Sequence, residues 1–484
     1  MIGPREFEVP PAPLERFLPL VGEERYARLS DAAGRMRALL GSTAVWNVNS
    51  THRGGGVAEM LQVLLGYSRG AGLDMRWLVV GGDDRFFALT KRIHNRVHGI
   101  PGDDGALDGA ERAHYDAVLA DNAAAVLRWV RPGDVVLLHD PQTLGLAAHL
   151  RRAGATAIWR SHIGVDHANE WTAQAWDFLR PLAEPCDAFV FSRAQYVPGF
   201  LDDAPVSIIA PSIDPFSPKN QDLAPDTVAA VLRAMGLTAG RGGAGPRGVA
   251  ADGTGAGFTR ADGSPGRVGR RAEVVGEGPP LDPEAPLVVQ VSRWDHLKDM
   301  HGVLTGFAAH VAGRHDAQLA LVGPAVHDVS DDPEGATVLA ECVAAWGKLS
   351  PRLRRTIRLV TLPMDDTDEN AAMVNALQRH ATVVVQKSLA EGFGLTVAEG
   401  MWKARPMLAS AVGGIVDQVV HDTGVLLPDP TDLDAYGLAL DTLLGDPAAA
   451  SAIGTRAHDH VREHFLGDRH LLQYAELLES VVRV

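Results

Sequence analysis

Cysteine is nearly absent. Cys186 and Cys342 are the only two in 484 residues, which leaves no basis for a disulfide framework or a cysteine-built zinc site. Long apolar runs are also missing. No stretch reaches the roughly 18 apolar residues that a membrane-spanning helix needs, so no membrane span is expected. The opening segment MIGPREFEVPPAP lacks the apolar core of a secretory signal. Basic residues are in the minority, 45 Lys and Arg against 60 Asp and Glu, for a net charge of −15. That argues against nucleic-acid binding, which needs a basic face. It does not exclude a phosphorylated ligand, because a few local cations decide that. The chain is 46% hydrophobic and 22% charged, ordinary for a soluble globular protein. Its length favours two domains. The expectation is a cytoplasmic α/β enzyme.

Short apolar runs alternate with amphipathic stretches along the chain, as in a doubly wound sheet. Residues 1–40 read as an irregular arm followed by helices. Strands are expected at 43–49, 76–80, 134–139, 156–159, 188–192 and 206–209, and again at 287–291, 319–322, 357–361, 383–385 and 406–409. An N-terminal Rossmann-like domain is expected over 1–220, joined by a C-terminal helix at 471–484, and a second Rossmann-like domain over 286–470. Between them, 221–285 reads as a linker. Thirteen of the forty-one residues in its part 240–280 are glycine, and Phe258 is the only aromatic there. Such a segment buries too little apolar surface to offset its ordering entropy, and is read as a disordered insertion.

Most of the chemistry is expected in Val383–Gln418, VVVQKSLAEGFGLTVAEGMWKARPMLASAVGGIVDQ. A buried strand runs into Glu391-Gly392-Phe393-Gly394 and then into a helix. Such a turn presents free backbone N–H groups and a positive dipole end, which attract phosphate. Its glycines admit close approach. Glu391 and Glu399 bracket the turn with seven residues between them, placed to accept hydrogen bonds from hydroxyls on either side of an anion. An ordinary strand–glycine–helix turn is the alternative reading of the same residues. Earlier strand ends carry further polar residues: Asn49 before Gly54-Gly55-Gly56, Asp140 after the strand at 134–139, and His162 after that at 156–159. In open α/β sheets such positions line the ligand crevice. The triple glycine is not the G-x-G-x-x-G dinucleotide fingerprint, and a tight turn explains it equally well. Arg293 and Lys298, after the strand at 287–291, are placed to meet phosphate oxygens.

E-x7-E after QKS and before a GG helix start resembles the donor signature of retaining GT-B glycosyltransferases of the glycogen-synthase and sucrose-synthase type (family 4). QKSLAEGFGLTVAEGMWK is more similar still to trehalose synthases and trehalose phosphorylases. NVNST with GGGVAEML, FFALTKRIHN, WRSHIGVD, the Pro211–Pro215 stretch with Lys219-Asn220, and VSRWDHLKD resemble further family segments. Together they cover about 40–220 and 285–470. Gly164 stands where the family usually has aspartate, which leaves acceptor details open.

The resemblance implies a GT-B fold, two Rossmann-like doubly wound domains facing across a cleft. It implies retaining transfer of glucose from ADP-, UDP- or GDP-glucose to glucose, giving trehalose. Arg293 and Lys298 would hold the donor diphosphate, Glu391 the donor-sugar hydroxyls and Glu399 the ribose. Gly55, Gly56, Gly392, Phe393, Gly394, Leu395 and Thr396 would complete the donor site. Asn49, His94, Asp140 and His162 would form the acceptor side, with His162 beside the transferred sugar. The chemistry is assigned to His162, Arg293, Lys298 and Glu391. The co-substrate is a nucleotide sugar. No tightly bound cofactor is expected, and no acidic pair makes a recognisable Mg²⁺ site, so any stimulation by Mg²⁺ would not come through protein ligands. A homodimer is compatible with this reading. Phosphorolysis of trehalose, another glycoside product and a non-catalytic sugar-nucleotide sensor are the alternatives.

Overall fold

In the computed structural model, which describes residues 3–52, 56–103, 105–239, 256–326 and 333–482, the apolar runs become the central strands of two sheets. The chain divides into one unit of Met1–Ser212 with Phe465–Val484 and another of Ile213–His464. The first unit's strands are β1 (Arg5–Phe7), β2 (Val45–Asn49), β3 (Met75–Val79), β4 (Val135–His139), β5 (Thr156–Ser161), β6 (Ala188–Phe191) and β7 (Val206–Ile208). They lie in the order β1-β3-β2-β4-β5-β6-β7. All neighbours are parallel except β1, which pairs antiparallel with β3. The arm read as irregular therefore supplies an edge strand.

Every residue of β2 and β4 is buried, which suits strands covered on both faces. Trp46, Val48, Leu138 and Trp159 pack on one face with the helices around Phe86 and Tyr115. Val45, Leu137 and Ile158 pack on the other with Ala32 and Met36 and with Ala475 and Leu478. The last two belong to the final helix, Gly467–Val482. Alternation along β2 and β4 then directs Asn47 and His139 toward that second face, an apolar environment for two polar side chains.

The second unit holds β8 (Gly257–Thr259), β9 (Pro265–Arg267), β10 (Glu273–Val275), β11 (Leu287–Val291), β12 (Gln318–Pro324), β13 (Ile357–Leu362), β14 (Val383–Gln386), β15 (Met407–Ser410) and β16 (Val425–Leu427). Its main sheet runs β10-β13-β12-β11-β14-β15-β16, with β8 and β9 as a separate hairpin. Only β10 is antiparallel to its neighbour in the main sheet. Each main sheet thus has one topological switch point, between β2 and β4 in the first unit and between β11 and β14 in the second. Loops at the carboxyl ends of such strands form the ligand crevice of a doubly wound sheet.

The reading of 221–285 as a linker with a structureless insertion is corrected for its described part. Pro225–Ala234 is a helix. Residues 256–280 carry β8, β9 and β10, while 240–255 lie outside the described residues. The segment has little apolar surface, but polar contacts hold it. Arg260 makes a two-pronged bond to Asp366 at 3.0 and 2.7 Å. Glu369 accepts the backbone N–H of Gly269 and of Arg270, both at 2.7 Å. Phe258 is buried.

Candidate functional site

At the second unit's switch point, a polar clasp joins the loop after β11 to the loop after β14. Gln290, fully buried on β11, donates to the Lys298 carbonyl at 2.6 Å and accepts from Lys387 N at 3.0 Å. Asp299 adopts a left-handed backbone at φ 45° and caps the helix Met300–His310 through Gly302 N at 2.9 Å. Its other carboxylate oxygen pairs with the Lys387 ammonium, which is fully buried. A buried charge is tolerated only when paired in this way.

The clasp sets Lys298 against Glu391. Nζ and Oε2 stand 2.5 Å apart, with the two side chains 15% and 13% exposed. Ser388 Oγ donates to the same oxygen at 3.3 Å and in turn accepts from Gln386 Nε2 at 2.9 Å. Thr396 Oγ1 donates to Gln386 Oε1 at 3.0 Å. Arg293 lies on the same loop as Lys298. Its Nη2 donates to Asp295 Oδ2 at 2.9 Å, and its side chain is 56% exposed.

Gly394 starts the helix Leu395–Trp402 at φ 82°, and no side chain caps it. A Cβ there would stand 3.0 Å from Glu391 Cγ and 3.1 Å from Ile415 Cγ1, so glycine serves both the backbone angle and the packing. Gly392 O accepts from Gly414 N at 3.0 Å. Gln418 donates to the carbonyls of Phe393 and Gly414 and accepts from Ala398 N, tying the turn to the helix. The turn therefore presents Glu391, glycine backbone and an uncapped helix start together, an arrangement able to receive an anion with hydroxyl groups beside it.

Glu399 forms a second cluster on that helix. It is nearly buried, and Lys219 Nζ lies 3.6 Å from its Oε1. Lys403 Nζ donates to Asn220 Oδ1 at 2.9 Å and to the Glu399 carbonyl at 3.0 Å. Burial pushes the Lys403 ammonium down to about 7, against the pull of the Glu399 carboxylate.

In the first unit, Asp140 and His162 come together beside the switch point, just past the ends of β4 and β5. Asp140 has φ 60° and accepts from His162 N at 2.8 Å. Burial raises its carboxyl to about 6. His162 Nε2 lies 2.9 Å from His139 Nδ1. Asn49, expected on the acceptor side, uses both amide atoms within the unit. It accepts from Trp77 Nε1 at 2.8 Å and donates to Thr51 O at 2.6 Å. His94, on the helix Asp84–Val97, lies edge-on to His98. Gly56 opens the helix Gly56–Gly70, while Gly55 lies outside the described residues. A Cβ at Gly164 would collide with the Tyr196 ring, so an aspartate does not fit here without moving that ring.

The sequence reading missed Gln290, Lys387, Asp299 and Gln418 in the second unit, and Asn47, His139 and Arg160 in the first. Their one signal was polarity inside or just beyond otherwise apolar strands, or, for Asp299 and Gln418, at a helix end. Among the described residues, no cluster of three or more His, Cys, Asp or Glu is placed to hold a metal ion, and no helix is long and apolar enough to cross a membrane.

Residues 47–198 match the family model described as trehalose synthase, N-terminal domain, and residues 367–460 match glycosyl transferases group 1. The trehalose synthase of Rubrobacter xylanophilus is 32% identical over 473 residues, 97% of this chain and 97% of that protein. The trehalose phosphorylase of Pleurotus pulmonarius is 24% identical over 86% of this chain and 54% of its own length. In the solved structures, a UDP-forming α,α-trehalose-phosphate synthase from Burkholderia xenovorans superimposes with a TM-score of 0.63 at 16% identity, covering 91% of this chain and 99% of that one. The fold is GT-B and the protein a glycosyltransferase, a hexosyltransferase by class. More particularly, the chain belongs to the trehalose synthase family.

Proposed function

We propose that this enzyme transfers glucose from ADP-, UDP- or GDP-glucose to glucose, with retention at the anomeric carbon, forming trehalose. The observation that carries the donor half is the Lys298–Glu391 pair beside the uncapped helix start at Gly394. A leaving diphosphate gains negative charge as the glycosidic bond breaks. In this reading Arg293, Lys298 and the helix N-terminus supply the cationic and dipolar groups that stabilise it, the efficient form of electrostatic catalysis. Glu391 accepts hydroxyls of the donor sugar. As those hydroxyls take over as its donors, the Lys298 ammonium turns toward phosphate. Glu399 accepts the ribose hydroxyls. His162 and Asp140 belong to the acceptor half. The two glutamates are not a glycosidase acid and nucleophile, because their partners are hydroxyls and cations. Full-length similarity to a trehalose synthase supports the choice of product.

Phosphorolysis of trehalose is the second reading, supported by the likeness to a trehalose phosphorylase. In that case free phosphate meets the same cations and Glu399 has no ribose to bind. The test is to incubate the protein with each nucleotide-glucose plus glucose and, in parallel, with trehalose plus phosphate. Trehalose formation in the first set supports the proposal. Glucose 1-phosphate from the second set alone replaces it with phosphorolysis.

A further inference from the structure

His162 lies within a chain of hydrogen bonds rooted in the sheet. His162 Nε2 lies 2.9 Å from His139 Nδ1, with the rings stacked at 12°. His139 Nε2 lies 3.0 Å from Asn47 Oδ1. On its other side, His162 Nδ1 faces Arg160 Nε at 3.4 Å. Asn47, His139 and Arg160 are buried. None of the three belongs to the donor or acceptor sets described above.

We infer that Asn47 and His139 are positioning residues that hold the His162 imidazole neutral and in its Nε2–H tautomer at the candidate acceptor site. The direction of the chain follows from Arg160, which can only donate. His162 Nδ1 must then accept, so its proton sits on Nε2 and is donated to His139 Nδ1. His139 carries its own proton on Nε2 and donates it to Asn47. This requires the oxygen of Asn47, not its nitrogen, to face the ring. The opposite order would set an Nδ1–H of His162 against the Arg160 N–H. Protonating either ring would likewise point a proton at a donor.

The charged surroundings act in the same sense. His162 is faced by Arg160 from β5, His139 from β4 and His470 from the final helix, where Arg469 and Tyr474 also lie, and its main chain by Asp140. Burial and Arg160 push the His139 imidazolium down to about 3, and burial with the same Arg160 takes His162 well below its ordinary range. The chain ends at Asn47 Nδ2, a buried donor with no partner among the described residues. Asn47 there borders an apolar cavity of about 60 Å³, lined also by Leu29, Ala32, Met36 and Tyr474. Among the described residues, His139 is the one hydrogen-bond partner of that amide, and so the group that orients it. The importance of this device for catalysis rests on the proposed role of His162, whereas the tautomer and charge state do not.

Two experiments test it on the full chain. Nitrogen-15 imidazole spectra, assigned by subtraction with His139→Gln and His162→Gln, should show both rings neutral and Nε2-protonated from about pH 5.5 to 8. A ring that titrates in that interval, or an Nδ1–H pattern, overturns the inference. Kinetically, His139→Leu removes the acceptor for His162 Nε2–H, whereas His139→Asn returns an oxygen close to the position of Nδ1. The first should raise KM for glucose as acceptor about tenfold, move KM for nucleotide-glucose much less, and be largely rescued by the second. An unchanged acceptor KM in His139→Leu, or a loss that His139→Asn does not rescue at all, overturns the positioning role. If wild type makes no trehalose from any nucleotide-glucose, the proposed function fails, while the spectra still decide the tautomer.

Discussion

Lys298 and Glu391 lie ninety-three positions apart in the chain, yet Nζ and Oε2 stand 2.5 Å apart across the switch point of the second sheet. Strand order brings them together. β11 and β14 are sheet neighbours, and Gln290 clasps the two loops that follow them. Neither residue alone marks a site. A cation and a carboxylate brought together beside an uncapped helix start make the candidate site.

Lys298→Ala removes a positive charge from this arrangement and leaves Glu391 without its closest cation. Turnover with nucleotide-glucose should fall by about 10²-fold or more, the scale for losing one preorganised electrostatic group. Steady-state kcat on purified, folded variant checks it. A kcat within a factor of a few of wild type would remove Lys298 from the chemistry.

Glu399→Gln separates transfer from phosphorolysis. Hydrogen bonds to a carboxylate contribute roughly 1.5–3 kcal/mol, so losing the charge should lower kcat/KM for nucleotide-glucose by about tenfold or more. The reaction of trehalose with phosphate should change far less, since phosphate carries no ribose. Equal losses in both reactions would point instead to disruption of the Lys219 and Lys403 cluster.

Gly394→Ala tests the turn. Its φ of 82° and the approach of Glu391 and Ile415 both oppose a side chain. The backbone term alone costs about 1–2 kcal/mol. Activity should fall more than stability, because the easiest relief is to move Glu391. A thermal melt beside kcat/KM distinguishes the two, and a variant with a lowered melt but full activity would show that the turn tolerates the shift.

Lys403 gives a pH signature. Its folded-state value of about 7 lies below the ordinary 10.5. Between those values the unfolded chain binds a proton that the native chain does not, so this group's contribution to stability rises with pH and is least below pH 7. Denaturant melts from about pH 7 to 9 should show wild type gaining on Lys403→Met, with a slope of at most ~1.4 kcal/mol per pH unit. Parallel curves for the two proteins would mean that Lys403 stays charged.

Glu369→Ala should cost on the order of 2 kcal/mol, because it removes the acceptor for two backbone N–H groups at Gly269 and Arg270. Urea melts measure it directly. No change would return the segment 256–280 to the status of a dispensable loop.

The amino-acid sequence by itself determined the strand runs, the glycine turn at Gly392–Gly394 and the glutamate pair at seven-residue separation. These are local features, and their physics is that of neighbours along the chain: period, turn angle and helix start. It also misled over 256–280. Apolar content was the measure there, and the segment is held instead by Asp366 and Glu369, about a hundred positions away. Only the tertiary structure decided which polar residues act together. Asn47, His139, Gln290 and Gln418 look like interruptions in apolar strands and helices until their partners are known. Those partners are set by strand order, which a spacing along the chain does not encode.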